Sequence, residues 1–530
     1  MTTSQPDNSS STANVRAWLV ARAPWLAALI TLAVILFTER AGWPVGVFYD
    51  DGIYLDLARS LIAGEGYRHS ALPGSPAGVH YPPLFPAWLA AWSWLRSLFG
   101  AHDVVAWLKL GNALLAALAV ALWAIWGVKR LSLHPVVAST LAAASLLIVP
   151  ARAVTSTLFS EPLSWVLLAA ALLLAPRGGV TSPSMPNESP PSTTRVWFGA
   201  LTAGVLSVTR SALLPFTLAY ALAFLRERST PVARRASLAA LCVLPTLVFT
   251  LWTARHADVI PDAWRGSYGT YTSMWRESWS TPADLIALVA NQLAGFWRIA
   301  SAIWSAPGAL IAFAAIMLGI IALWRVDRWL TIGFAGYIAL VLIWPIEPDR
   351  FVWGVLPLIT LIAGIGAATL VRRMRARGWA ALAVILVLAL PLGACGRWTM
   401  RGYVNSGWIV PQEIAARNAA PLVRWGRTLP RDATVLTGND PLFALATGLR
   451  AAPALPPDLG EASGRPRSTP SERLERSACA LGRGWLAVGD SSDQVGAALR
   501  QLLGRGGSRL SVSQRVRLEG RGEAWLFACR

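Results

Sequence analysis

The sequence predicts an α-helical polytopic membrane protein. It has about eleven transmembrane helices, further helices at the interface, and a small C-terminal α/β domain outside the cytoplasm. Three observations carry this. Apolar runs of spanning length recur along most of the 530 residues, and a bilayer core demands about 20 apolar residues per helix. The chain is 55% hydrophobic and only 14% charged, where soluble domains carry about 25% charged residues. Beyond about Gly396 the apolar segments shorten to strand length.

Taken in order, residues 1–16 form a polar, Ser/Thr-rich cytoplasmic tail. No small-residue cleavage site follows the first apolar run, so no cleaved signal peptide is expected. Residues 17–394 form the membrane domain. Its first span is 18–38, and Arg16 and Arg22 at its start place the N-terminus inside. The first outer loop is then 39–103. It holds a short amphipathic helix at 53–63, closed by Gly64 and Gly66, and a Trp-rich surface helix at 84–99. Charge decides that 84–99 does not cross. Residues 104–128 span fully and end in Lys129 and Arg130, which fall inside only if 84–99 stays on the surface.

The later spans follow the same rule. Residues 135–149 go out, 151–160 form an outer loop, and 162–174 return. Residues 177–195 are a Pro/Ser/Thr-rich linker with the composition of disorder. Residues 196–208 and 212–225 pair as short helices around Thr209-Arg210-Ser211. Arg226, Arg228, Arg234 and Arg235 follow inside, and 237–253 goes out. Residues 255–284 form a second long outer loop, with a candidate interfacial helix at 285–302. Residues 310–324 return, 330–344 go out, 345–350 turn, 351–371 return, and 379–392 are the last span. Arg372, Arg373, Arg375 and Arg377 are the strongest inside signal.

Residues 395–530 read as the α/β domain. Strands are expected at 433–437, 485–488, 510–518 and 524–528, and helices at 410–425 and 494–503. Residues 453–470 read as a Pro/Gly/Ser-rich loop. Four cysteines are too few for a disulfide framework. A Cys479–Cys529 bridge and two free thiols are both open readings.

The formal charge of +19 does not point to nucleic acid. The cations are almost all Arg, with Lys only at Lys109 and Lys129. Many sit in short loops between apolar runs, which is the pattern of topology control. No Gly-rich phosphate loop precedes a helix, and no His/Cys/Asp spacing matches a zinc site.

Chemistry concentrates where charge meets the outer face. Carboxylates beside hydrocarbon are costly, so each needs a partner or a task. Asp50 and Asp51 open the first loop, Glu161 begins a span, Arg210 sits at a break between two short helices, and Arg350 starts a span. Lys109 and Arg152 lie at similar depth. Arginines match phosphate bidentately, and a carboxylate can take a proton from a hydroxyl or hold a divalent cation. Structural readings stand beside these. Asp51 fits an N-cap, Glu161 fits a dipole-favoured helix start, and Arg350 fits a snorkelling cation. His80 fits a loop histidine better than a metal ligand.

The motifs resemble the GT-C superfamily of membrane glycosyltransferases, in particular the bacterial branch related to protein O-mannosyltransferases and the lipid A aminoarabinose transferase. The resemblance rests on Asp50-Asp51-Gly-Ile-Tyr54 with Ala58, Gly64-Glu65-Gly66-Tyr67, His80-Tyr81-Pro82-Pro83-Leu84, Ser160-Glu161-Pro162, and Arg350-Phe351 followed by Leu356-Pro357. It covers residues 15–395 and leaves the C-terminal domain unassigned. It implies a hexosyl- or pentosyltransferase in a bacterial plasma (inner) membrane, acting on the extracytoplasmic side. The donor would be a polyprenyl-phosphate sugar and the acceptor a hydroxyl on a glycan, lipid or protein. Asp50 would be the base, with Asp51 beside it and Glu161 as a second acid. Arg210 and Arg350 would hold the donor phosphate. Tyr54, His80, Tyr81, Lys109 and Arg152 would contact substrate. The family divides on metal use, so a divalent cation (Mg or Mn) on Asp50, Asp51 or Glu161 is left open. The competing class is a non-catalytic transporter or flippase of a lipid-linked sugar. Such a protein favours broken helices with charges at the midplane in paired halves. Here the acids lie in loops and no halves match.

Overall fold

The apolar runs become a helical bundle, and the short segments become one sheet packed on one end of it. The computed structural model describes residues 8–39, 45–174, 193–227, 230–374, 379–489, 493–504 and 508–530. The expected linker at 177–195 lies almost wholly outside these residues, as do Arg228, Arg375, Arg377 and the start of the N-terminal tail.

The helices of the bundle half are α1 (Asn8–Thr38), α2 (Asp50–Ile62), α3 (Leu84–Leu98), α4 (Val104–Leu131), α5 (Pro135–Leu147), α6 (Val149–Ser156), α7 (Glu161–Leu174), α8 (Thr193–Thr209), α9 (Leu214–Arg226) and α10 (Val232–His256). Then follow α11 (Arg265–Tyr268), α12 (Tyr271–Ser278), α13 (Pro282–Trp304), α14 (Ala306–Val326), α15 (Arg328–Leu342), α16 (Asp349–Gly354), α17 (Leu356–Met374) and α18 (Trp379–Val404). At the centre stands α4, packed against α1, α5 and α7. Trp123 and Trp126 on α4 and Trp165 on α7 are fully buried. A helix buried on all sides reads apolar all round, whereas α10 turns most of its surface outward.

Among the described residues six helices have the length and composition to cross a bilayer: Trp18–Thr38, Val104–Leu131, Val232–Val259, Pro282–Trp304, Ala306–Val326 and Leu356–Arg373. The bent pair α5 and α6 makes a seventh if it is one span. The expected eleven also counted shorter apolar helices such as Glu161–Leu174, Ser211–Arg226 and Arg328–Leu342. The chain is an integral membrane protein.

Four local readings change. Residues 151–160 are not a plain loop: α6 occupies most of them, bent 65° from α5. Pro150 lies in the first turn of α6; it has no N–H to donate to the carbonyl four residues back and its ring crowds that carbonyl, so α5 cannot continue through it and one helix becomes two, with Ile148 extended between them. The segment 285–302 is longer than an interfacial helix requires. A capping box of Thr281 and Asp284 starts α13 at Pro282, and the helix runs 23 residues. Residues 351–371 are broken at Val355 into α16 and α17, so Arg350 sits on a separate one-and-a-half-turn helix. The last helix, α18, passes through Pro391 to Val404.

The tail contains α19 (Val410–Gly426), β1 (Thr434–Thr437), α20 (Asp440–Thr447), β2 (Arg450–Pro453), α21 (Pro470–Leu481), β3 (Arg483–Val488), α22 (Gln494–Gly504), β4 (Leu510–Arg517) and β5 (Glu523–Cys529). The sheet order is β2-β1-β3-β5-β4. The first three strands are parallel, and β5 and β4 are antiparallel. Four strands and two helices lie where the sequence predicts them; α20, β2 and α21 were missed. Cys479 and Cys529 are bonded, tying α21 to β5.

Candidate active site

The site is assembled on the stretch 48–86. Tyr49 has φ 68° and ψ −70°, and the amide of Asp50 donates to the carbonyl of Phe48 at 2.8 Å. This is a tight γ-turn, after which α2 begins at once. Asp50 and Asp51 are therefore adjacent on a helix start and separate by about 100° around its axis. Asp51 turns inward. Its carboxylate accepts from the amides of Gly46 (2.8 Å) and Phe48 (3.1 Å), and burial pushes its pKa up to about 6 against those bonds. Asp50 turns to a cavity of about 580 Å³.

Asp50 meets two partners there. The Tyr81 hydroxyl donates to its Oδ1 at 2.7 Å, and the Arg350 guanidinium pairs with its Oδ2. Arg350 also reaches Glu161, with Nε and Nη2 each 3.2 Å from Oε1. Arg210 donates to the same Oε1 at 2.6 Å. Glu161 is fully buried at the start of α7, and its Oε2 has no hydrogen bond among the described residues. Arg210 is extended backbone between α8 and a short 3-10 turn at Ser211–Leu213, and its Nη2 donates to the Arg350 carbonyl at 3.1 Å. Two acids and two arginines thus form one chain, with Asp50, Arg210 and Arg350 on the cavity wall and Glu161 buried behind them. The Arg350 guanidinium lies over the Phe159 ring, 3.9 Å from its centre.

Aromatic groups complete the wall. Tyr54 faces Ser160 across 3.4 Å, and burial pushes its phenol up to about 12. His80 bonds the Gly269 carbonyl through Nδ1 at 2.6 Å, and burial lowers its pKa. Tyr271 and Trp344 line the cavity, with ring centres 5.1 Å apart. Gly438, Pro453, Leu455 and Pro457 reach it from the sheet domain.

The structure therefore brings together Asp50, Tyr54, His80, Tyr81, Glu161, Arg210 and Arg350. It places three expected residues elsewhere. Asp51 holds its own loop. Lys109 and Arg152 pair with Glu39 at 3.3 Å and 3.5 Å, and Arg152 also bonds Thr38 at 3.1 Å. Neither lines the cavity that Asp50 faces. Sequence reasoning missed Ser211, Tyr271, Trp344 and the tail residues. An aromatic-rich loop was the only signal for Tyr271, and nothing local marked the tail.

Asp50, Asp51 and Glu161, the acids named for a divalent cation, do not meet at one point. Arg350 fills the gap between Asp50 and Glu161, and Asp51 faces away. Among the described residues no three His, Cys, Asp or Glu side chains form a ligand set.

No protein-family model matches the chain, and no curated protein matches it in sequence. Solved structures do match. ArnT from Cupriavidus metallidurans bound to undecaprenyl phosphate superposes with a TM-score of 0.52 at 16% identity, covering 96% of this chain and 98% of that one. ArnT in the apo state gives 0.52 at 14% identity, covering 97% and 98%. The chain has a GT-C fold. The archaeal oligosaccharyltransferase AglB from Archaeoglobus fulgidus, in complex with an inhibitory peptide and a dolichol-phosphate, gives 0.49 at 12% identity over 87% and 69%. The GT-C likeness read from the motifs thus holds for the fold, and the ArnT match extends it over the C-terminal domain that the motifs left unassigned.

Proposed function

We propose that the protein is a glycosyltransferase that moves a hexosyl or pentosyl group from a polyprenyl-phosphate donor to a hydroxyl acceptor, with inversion. One observation carries the reading: Asp50 and two arginines share one wall of a cavity that is roofed by the sheet domain. The GT-C fold supports it, and the ArnT structure of that fold holds undecaprenyl phosphate.

The geometry suggests a sequence of events. In the resting site Arg350 is held by Asp50 and Glu161. A donor phosphate offers it a stronger bidentate partner. Arg350 then turns from Asp50 to the phosphate, while Glu161 keeps both guanidiniums in place. The freed Asp50 carboxylate takes the proton of the acceptor hydroxyl. The oxygen attacks the anomeric carbon, and the carbon–oxygen bond to the phosphate breaks. The lipid phosphate leaves with the electron pair, and Arg210 and Arg350 stabilise its growing charge. The Cys479–Cys529 bond supports placing this face in an oxidising, extracytoplasmic compartment of a bacterial inner membrane.

The test is release of polyprenyl phosphate by purified protein offered a polyprenyl-phosphate sugar and candidate glycan, lipid and protein acceptors. Wild type should turn over, and folded Asp50→Asn should lose turnover by at least about 10³-fold. A full-rate Asp50→Asn variant removes Asp50 from the chemistry. Movement of intact donor across vesicles without release would instead favour a flippase.

A further inference from the structure

We propose that the first turn of α20, through Asp440, fixes the loop that carries Asp50, so that the sheet domain positions the base as well as roofing the cavity. The proposal rests on the role given to Asp50 above. Its first support is the γ-turn at Tyr49. A bulky residue at φ 68° is strained and persists only where surrounding groups hold it. The groups that hold it come from the tail. The Tyr268 hydroxyl donates to Asp440 Oδ2 at 2.5 Å, and the Tyr49 hydroxyl adjoins the same carboxyl. The Tyr49 and Tyr268 rings are 6.1 Å apart, and His69 stands edge-on to Tyr268 at 5.0 Å. Asp440 is 1% exposed. A buried carboxyl is kept by what it bonds, and here the Tyr268 phenol donates to it, while the Tyr49 phenol stands beside it with no hydrogen bond among the described residues.

The second support is backbone contact. Gly46 has φ 102°, and a Cβ there would lie 2.6 Å from the Leu442 Cα. A Cβ already fills the same kind of space at Pro441, whose Cβ would stand 2.7 Å from one on Gly52. The Asn439 side-chain amide donates to the Val47 carbonyl at 3.4 Å. Residues 439–442 therefore lie directly on residues 46–52, with no side-chain layer between. Moving α20 moves the turn that aims Asp50.

The experiment uses the full chain in nanodiscs. Asp440→Asn keeps an acceptor for Tyr268; Asp440→Ala and Tyr268→Phe break the bond. Asn should retain turnover within about threefold, and Ala and Phe should each lose about 10- to 100-fold in kcat with donor KM little changed, as misplacement of a catalytic group does. The Ala/Phe double variant should be no worse than the worse single, because both remove one interaction. Hydrogen exchange should rise at amides 47–52 in Ala and Phe while β1, β3 and β5 exchange as in wild type. Tyr268→Phe removes one oxygen only, so it decides the matter if Asp440→Ala fails to fold. Wild-type turnover and wild-type exchange at 47–52 in folded Tyr268→Phe overturn the proposal, as does a loss confined to KM. If wild type releases no lipid phosphate, the transferase reading falls, and the exchange data alone decide whether Asp440 holds the loop.

Discussion

Arg350 is one cation shared by two acids, and its fork decides what replaces it. Its guanidinium reaches Glu161 through Nε and Nη2 and Asp50 through Nη1. Lysine brings the charge but one point of contact; alanine brings neither and leaves Glu161 with Arg210 alone. In the proposed reaction Arg350 tightens on phosphate as charge develops. Turnover should therefore fall in the order wild type, Arg350→Lys, Arg350→Ala, with about tenfold at the first step and the larger share in kcat. A merely snorkelling arginine gives equal turnover in all three, and steady-state kinetics on the two variants separates these outcomes. The arginines and acids of this wall were legible in the sequence, because a charge at the end of an apolar run is costly and so has a reason. The resemblance made Asp50 the base and Asp51 its neighbour, but the local pattern did not show that their carboxylates face different surroundings. One residue step on a helix sends two neighbours to different surroundings, and only the γ-turn at Tyr49 says which goes where.

At the scale of elements, breaks proved harder to read than runs. The periodic apolar pattern marks α4, α14 or α17 plainly, but Ile148 and Val355, where helices split, look like any other apolar residue. In the tail, Thr469-Pro470-Ser471-Glu472 carries a capping-box pattern, and its box is formed at the start of α21. That signal lay inside a stretch whose Pro and Gly content argued for loop. Helix pairing has its own signature. Gly319 on α14 would drive a Cβ into the Ile362 carbonyl of α17, and Gly366 on α17 would drive one into Ala315 of α14. Small residues let backbones approach closely where no hydrophobic effect joins helices in lipid. Gly319→Val should thus lower stability by about 1–3 kcal/mol through overpacking. Gly396→Ala, inside α18 with open space around it, should instead gain about 0.5–1 kcal/mol from helix propensity. Thermal unfolding in detergent checks this, and matched melting temperatures would mean that α14 and α17 do not meet through these glycines.

At the scale of the whole molecule, the tail and the two long loops form one body. Trp264 bonds Ser477, Arg465 pairs with Asp284, and the Ala451 amide bonds the Ala71 carbonyl, at 2.8, 2.9 and 2.9 Å. No local pattern announces such pairing, so the sequence implied two regions but not their contact. The contact has a topological consequence: the tail, the loop at 45–86 and the loop at 257–281 share one side of the membrane. If that side is extracytoplasmic, as proposed, three facts follow together. Cys479 and Cys529 stay oxidised in cells and react with a thiol reagent only after reduction. Cys242 is buried and stays silent. A cysteine at Gln514, exposed on β4, labels with a membrane-impermeant maleimide in intact cells carrying Cys395→Ser. A cytoplasmic tail leaves Cys242 silent but predicts the reverse on the other two counts: a reduced pair, and Gln514→Cys labelled only after lysis. Because the loops bonded to the tail carry Asp50 and Tyr271, the same labelling experiment locates the cavity. Labelling only after lysis would move the proposed chemistry to the cytoplasmic face and leave the disulfide without an oxidising compartment to form it.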